Sequence, residues 1–336
     1  MILVCGEALI DLFVGPPDGA QMPARAVAGG SPFNVAIGLA RLGARAAFLG
    51  GVSRDRFGDL LADILQREGV DGRFLRRTDR LSTLSAIATG PDGQPSYTFH
   101  GEQAADRSLT PADLPADLPD EIRALTFGSY TMGVEPVGSA YALLAAREKG
   151  RRVISVDPNV RPSVIGDMTQ WARAAERFYR CATLIKASED DVRAAFGPRA
   201  TLAEAAAYWR GLGAKLVVIT RGEAGAVAFG LGASLEVPSH KVSVCDTVGA
   251  GDTFHAALLA RLAAIDRLDE GAIAALDRET LGAVMAYATA AACVTVTRRG
   301  ADLPGDADVQ ALMRALPDQG WTPASHGSWR SDVIAS

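Results

Sequence analysis

The 336 residues predict an α/β protein, a doubly wound, mainly parallel sheet with helices on both faces and a small antiparallel β lid. Three observations predict it. Short β-branched apolar runs alternate with helix-period segments, as parallel strands covered on both faces require. Polar residues gather directly after those runs, and two Gly- and Pro-rich stretches stand outside the alternation as a separate small sheet.

Taken in order, Ile2-Leu3-Val4-Cys5 is apolar but is soon broken by Glu7 and Asp11, so it reads neither as a signal peptide nor as a membrane span. Residues 12–28 carry Gly and Pro around a short apolar strand and form the first part of the lid. Asn34 opens a helix that runs to Leu42 and stops at Gly43; Ala46–Leu49 follows as a buried strand. Asp55 to Glu68 reads as a helix with Leu60, Leu61, Ile64 and Leu65 on one face and Gly69 at its end. The runs Leu84–Ala88 and Tyr97–Phe99 flank Pro91-Asp92-Gly93, a hairpin signal, so residues 84–105 complete the lid. Buried strands are expected at Leu125–Phe127, Val153–Val156, Leu184–Ile185 and Leu216–Ile219. One domain over residues 1–316 and a polar tail over 317–336 are expected.

Composition narrows the function. Thirty-four basic against 39 acidic residues, with no basic run, speak against nucleic acid as a partner. Cys5, Cys181, Cys245 and Cys293 form no C-x-x-C pair and read as reduced, mostly buried thiols of a cytoplasmic protein. No later apolar stretch reaches the roughly 20 uncharged residues of a span, so no membrane is expected. There is no G-x-x-x-x-G-K-S/T, no H-E-x-x-H and no G-x-S-x-G, which removes P-loop, zinc-protease and α/β-hydrolase readings. The Gly249 loop begins like a dinucleotide fingerprint but ends at Phe254 and comes too late in the fold.

The chemistry concentrates in Asp246-Thr247-Val248-Gly249-Ala250-Gly251-Asp252-Thr253-Phe254, a small-residue loop directly before an apolar helix. Bare backbone and the positive end of the helix dipole suit a phosphate there. Asp252 is then the odd member. It is either the helix N-cap, a favoured place for Asp, or an acid that orients a hydroxyl and receives its proton during phosphoryl transfer. The polar segments after three of the strands, Asp157-Pro158-Asn159-Val160-Arg161, Lys186-Ala187-Ser188-Glu189 and Thr220-Arg221-Gly222-Glu223, lie at the sheet edge where ligands bind in such folds. Each has a plainer alternative: Ser188 as a helix cap, Arg221-Gly222 as a solvated turn.

Two patterns carry a resemblance. Ala28-Gly29-Gly30-Ser31-Pro32-Phe33-Asn34-Val35-Ala36 and Asp246–Phe254 resemble, in order, the sugar-site and catalytic motifs of the ribokinase-like (PfkB) carbohydrate kinases, over about residues 1–305. Gly6–Asp11, Asp157–Arg161, Thr220-Arg221-Gly222 and Arg299-Gly300-Ala301 add to it, and the whole is most similar to the fructokinase branch. The resemblance implies catalysis by Asp252 with the N–H groups of Gly249, Ala250 and Gly251, and sugar binding by Asp11, Gly29, Gly30, Asn34 and Arg161. It further implies nucleotide contacts at Lys186, Thr220, Gly222, Gly225, Gly249 and Gly251, an adenine platform around Ala288–Ala292, and Mg²⁺ held by Glu189 through water. A monovalent cation such as K⁺ near Asp246 and the Gly300 loop is a family habit. ATP and a monosaccharide, most of all fructose, are the expected partners. The lid segment Phe99-His100-Gly101-Glu102 lacks an arginine that many relatives carry, which keeps open a 2-keto-3-deoxygluconate kinase, with Arg107 for the substrate carboxylate, and a non-catalytic sugar-binding regulator. The exposed edges of a lid predict pairing into a homodimer.

Overall fold

A computed structural model describes residues 1–315 except 90–94, 231 and 233. The Pro91-Asp92-Gly93 turn and the tail at 317–336 lie outside the described residues. After β1 (Ile2–Cys5) come β2 (Leu9–Val14), β3 (Ala24–Gly29), α1 (Ser31–Arg41), β4 (Ala46–Leu49), β5 (Gly51–Ser53) and α2 (Arg56–Arg67). Next, β6 (Arg76–Thr78), β7 (Leu84–Thr89) and β8 (Pro95–His100) lead through a 3-10 turn at Ala105–Arg107 to β9 (Ala124–Gly128). Another 3-10 turn, Tyr130–Met132, precedes α3 (Val137–Glu148), β10 (Val153–Asp157), α4 (Pro162–Ile165), α5 (Met168–Tyr179), β11 (Leu184–Ser188), α6 (Glu189–Phe196) and α7 (Leu202–Gly211). The remainder is β12 (Leu216–Thr220), β13 (Ala226–Phe229), β14 (Leu235–Val237), α8 (Ala250–Ala264), α9 (Glu270–Ala274), α10 (Arg278–Val296) and α11 (Asp306–Ala315).

The main sheet has the order β14-β13-β12-β11-β10-β9-β1-β4, parallel from β12 to β4 and antiparallel at β13 and β14. Its strands read as continuous apolar runs because alternate residues enter two different cores. In β1, Ile2 and Val4 pack toward α1, α8 and α10, while Leu3 and Cys5 pack toward α3 and α5. The chain leaves β1 for β4 on one side and later returns to β9 on the other, so the carboxyl ends of β1 and β9 flank the crevice where open α/β sheets bind ligands.

The lid is a separate four-stranded sheet, β3-β2-β7-β8. Its outer pairs are antiparallel as expected, but the central pair β2–β7 runs parallel, because the chain passes through α1, β4, β5, α2 and β6 before β7 comes back to β2. β2 begins at Leu9 and β3 ends at Gly29, so the lid includes Asp11 and Gly29 themselves.

Two helix expectations, for α1 and α2, need correction. α1 starts at Ser31 with Gly30 as N-cap, not at Asn34; Pro32 suits the first turn, and Asn34 N–H makes an early helical bond to Gly30 O at 2.9 Å. On α2 the buried stripe is Leu61 and Leu65, while Leu60 is exposed. α10 is long and apolar enough to cross a bilayer by length and composition, yet it packs along α8 inside the core, with 72% of its most apolar window buried. Cys5, Cys181 and Cys293 are buried free thiols as expected, and Cys245 is exposed.

Candidate active site

Asp252 stands at the third position of α8, and the N-cap is Gly249, whose φ of 79° is easily adopted only without a Cβ. Asp252 therefore does not cap its helix. Its side chain is buried and held from α1: Ser31 Oγ donates to Oδ1 at 2.6 Å and Asn34 Nδ2 donates to Oδ2 at 2.8 Å. The N-termini of α1 and α8 thus meet at one carboxylate, which explains why Asn34 serves α8 instead of capping its own helix. Burial pushes the Asp252 carboxyl above its ordinary range, and nearby Asp157 adds to the rise, against Ser31, Asn34 and Lys186. The helix dipole alone would keep such an acid ionised and a poor base; here desolvation outweighs it.

Beneath this junction, Lys186 Nζ donates to Asp157 Oδ2 at 2.8 Å, both groups buried, Lys186 midway along β11 and Asp157 at the end of β10. Nζ would lie 3.2 Å from a Cβ placed on Gly251, so the charge sits directly under the first turn of α8. Burial disfavours the ammonium, but Asp157 and Asp191 more than offset it and raise the Lys186 pKa. His255 completes the cluster, with Nε2 2.8 Å from Ser155 Oγ. Burial, with Lys186 beside it, drives its pKa down to about 3, so the ring is neutral.

Toward the lid, Asp11 is half-buried on β2, opposite Val27 and Ser85. A Cβ on Gly29 would stand 2.4 Å from Asp11 Oδ2, so the carboxylate occupies the space that glycine leaves. Burial raises the Asp11 carboxyl to about 6; Ser85 lowers it and Asp252 raises it further, which places the two acids within electrostatic reach. Gly30, at φ 107°, approaches the backbone of Glu7 so closely that a Cβ would lie 2.9 Å from Glu7 O. The structure therefore brings together Asp11, Gly29, Gly30, Asn34, Gly249, Gly251, Asp252 and Lys186.

Other expected residues stand apart or act differently. Ala250 N–H turns back to Thr247 O at 3.3 Å, whereas Gly251 and Asp252 N–H meet no backbone acceptor among the described residues. The amides left without a backbone partner at the helix start are thus those of Gly251 and Asp252 rather than Ala250. Arg161 is exposed, and Nη1 bonds the carbonyl of its neighbour Val160 at 3.1 Å. Glu189 Oε1 accepts from Arg193 Nη2 at 2.7 Å across one helix turn. Ser188 does cap α6, accepting from Asp191 N–H. Thr220 lies beside Ser188 in the β11–β12 register, and Gly222 is exposed in the turn that follows. Gly225 is buried against β14, where a Cβ would meet Val237 O at 2.1 Å; its part is to close the β12–β13 turn. Ala288, Ala290 and Ala291 are wholly enclosed in the core, so they offer no platform to adenine.

Asp246 Oδ1 accepts from Val248 N–H at 3.0 Å and Oδ2 from Gly300 N–H at 2.8 Å, tying the loop before α8 to the segment that follows α10. Among the described residues no cluster of three or more His, Cys, Asp or Glu is placed to hold a metal ion. Sequence reasoning missed the roles of Ser31, Asp157 and His255. Ser31 lay inside a quoted motif and Asp157 at a strand end, but the partners that define them are about 100 residues or more away, except Lys186 for Asp157.

Residues 1–307 match the model of the pfkB family of carbohydrate kinases. The chain is 40% identical over 281 residues to a fructokinase of Rhizobium leguminosarum bv. trifolii, covering 84% of this chain and 85% of the relative. Its fold is similar to that of a Xylella fastidiosa fructokinase with bound ATP, at a TM-score of 0.86 and 26% identity, over 94% of this chain and 99% of that one. A double variant of Vibrio cholerae O395 fructokinase, with fructose, ADP and potassium ion bound, superposes at a TM-score of 0.79 and 28% identity, over 93% and 97% of the two chains. The family match over nearly the whole chain, the fructokinase relatives and the shared doubly wound fold agree, and the chain belongs to the pfkB family of carbohydrate kinases.

Proposed function

We propose that this protein is a fructokinase that transfers the γ-phosphoryl group of ATP to a primary hydroxyl of fructose. The observation that carries the reading is Asp252, buried where the N-termini of α1 and α8 converge and within electrostatic reach of Asp11. The sugar lies between the lid and α1. Asp11 accepts hydrogen bonds from its hydroxyls, Gly29 and Gly30 let it approach the backbone, and Asn34 offers a donor and an acceptor. The reacting hydroxyl takes the place of Ser31 Oγ at Asp252, which holds it in line and receives its proton late, because a loose transition state needs little proton abstraction before the leaving bond breaks. The N–H groups of Gly249, Gly251 and Asp252, with Lys186 beneath them, stabilise the phosphoryl oxygens. Thr220 and Gly222 border the nucleotide, and Arg161 swings from its exposed position to the transferring phosphate.

Mg²⁺ fits as an ion held mainly by ATP and water, with Glu189 as an outer contact once it leaves Arg193; when bound, it neutralises phosphate charge. K⁺ fits beside Asp246, whose two oxygens keep lone pairs beyond the N–H bonds of Val248 and Gly300. We also infer one domain over residues 1–316, a cytoplasmic location and a homodimer formed through the lid.

Coupled ADP release over a panel of fructose, 2-keto-3-deoxygluconate, ribose and a nucleoside tests the substrate. Fructose is expected to give the highest kcat/KM; a preference for the keto acid assigns the alternative kinase. Binding of a sugar without ADP release from any of them assigns a non-catalytic regulator and overturns the reading.

A further inference from the structure

The lid meets the main domain at a carboxylate that the proposed reaction does not use. Asp106 lies in the 3-10 turn just after β8 and is 1% exposed. Its two oxygens are taken by different parts of the molecule. Thr83 Oγ1, immediately before β7, donates to Oδ1 at 2.5 Å, and the Tyr130 hydroxyl, just beyond the carboxyl end of β9, donates to Oδ2. Thr83 also accepts from Ile10 N–H of β2 at 3.0 Å through its carbonyl, so three lid strands converge on this point.

The surroundings strengthen the junction. Tyr130 packs edge-on against Phe99 of β8, with ring centroids 5.7 Å apart, and carries the Arg107 guanidinium 5.2 Å from its ring centroid. Gly101 passes so close that a Cβ would stand 2.7 Å from Thr83 Oγ1. On the other side of Tyr130, Thr131 Oγ1 donates to Glu7 Oε2 at 3.1 Å, and Glu7 is the residue whose carbonyl underlies Gly30 in the sugar cradle. Buried polar contacts, carried on by the chain from Tyr130 to Thr131, thus run from the root of the lid to Glu7 beneath Gly30.

We propose that Asp106 is a positioning residue that clamps the root of the β lid to the main sheet, so that sugar affinity depends on a carboxylate that never touches the sugar. The proposal rests on the sugar-kinase reading above and deepens it. A buried acid is a costly way to fill space, and an apolar side chain of the same size packs without that cost. What the acid supplies is geometry: one group accepts from the lid and from the sheet at once, fixing the angle between them. Burial raises the Asp106 carboxyl above its ordinary range, and the two hydroxyl donors and Arg107 pull against that rise. A lid held in register over Asp11 also keeps water from the phosphoryl group.

Tyr130→Phe and Thr83→Val, singly and together, each remove one donor while keeping the shape of the side chain; Asp106→Asn is the conservative companion. Each single variant is expected to raise KM for the sugar about tenfold, as the loss of a hydrogen bond to a buried charged group implies. KM for ATP should hold, kcat should stay within about threefold, and the double variant should fall short of additivity because both donors act through Asp106. Unchanged sugar KM in variants that melt like the wild type overturns the proposal, and so does a parallel loss of sugar and ATP affinity. If the wild type phosphorylates no sugar of the panel, the kinase reading fails alone, and hydrogen exchange then decides the clamp. Faster exchange in β7 than in β9 of Tyr130→Phe supports it, and equal exchange rejects it.

Discussion

Asp252 and Asp11 are two carboxylates of one cleft, built on opposite mechanical principles. Asp252 stands on a helix buried in the core along most of its length, with both oxygens already bonded from α1. Asp11 stands on a lid strand, half-buried, beside the small residue Gly29. The first is placed before any substrate arrives; the second sits on a separate sheet packed against the main one. On the reading proposed above, the difference separates rate from affinity: a rigid acid contributes to the transition state, and an acid on a lid contributes to holding the sugar.

The sharpest way to break that contrast is Asp252→Asn. Turnover is expected to drop by a factor of about 10² to 10⁴ while the sugar dissociation constant moves by less than about threefold, read by steady-state kinetics and calorimetry. Near-normal turnover would reduce Asp252 to a structural link between α1 and α8. The support beneath it comes next. Lys186→Met leaves the Asp157 charge buried without its partner, and breaking such a pair costs about 3–5 kcal/mol in urea unfolding. Adding Asp157→Asn should return most of that loss; if the double variant is as unstable as the single, the damage is steric and not electrostatic.

How much of this was legible in the sequence follows the same division between local and distant causes. The strands from Ala46–Leu49 to Leu216–Ile219 were legible because burial on both faces writes an unbroken apolar run. The small residues ahead of Asp252 marked the loop before α8 as a candidate site for a reason that lies within nine residues. Asn34 misled because its capping preference is local, whereas the carboxylate that claims its amide is 218 positions away. The parallel β2–β7 pair and the Asp157–Lys186–His255 cluster were equally illegible, since each depends on which strands become neighbours. Ala288, Ala290 and Ala291 misled for another reason: a run of alanines signals close packing as readily as an open surface, and these three are enclosed in the core.

Asp11→Asn sharpens the lid half of the comparison. Losing a charged acceptor for sugar hydroxyls should raise sugar KM about ten- to a hundredfold with kcat little changed. The sign of the pH effect follows from the raised carboxyl. With a pKa of about 6, Asp11 is ionised above that value and takes up a proton as pH falls through it, so sugar KM in the wild type should climb below about pH 6. The Asn variant should lack that limb. If both enzymes show the same acid limb, another group controls sugar binding.

The smallest expected effect concerns Glu7, under the sugar cradle. Burial raises its carboxyl from 4.5 to about 8, against hydrogen bonds from Ser129 and Thr131, so the folded protein keeps a proton there at neutral pH that the unfolded chain releases. Between about pH 4.5 and pH 8 the folded state binds more protons, and stability therefore falls as pH rises, by at most about 1.4 kcal/mol per pH unit from this one group. Above about pH 8 both states have lost the proton and the contribution levels off at its least favourable value. Glu7→Gln keeps the shape and the acceptor for Thr131 but carries no proton to lose, so its urea midpoint should decline less steeply across that window. Parallel pH profiles for the two proteins would mean that Glu7 is ionised in the fold. The floor of the sugar site would then hold a buried charge, and the repulsion with Asp106 that such a charge implies would loosen the lid root instead of leaving it to Thr83 and Tyr130.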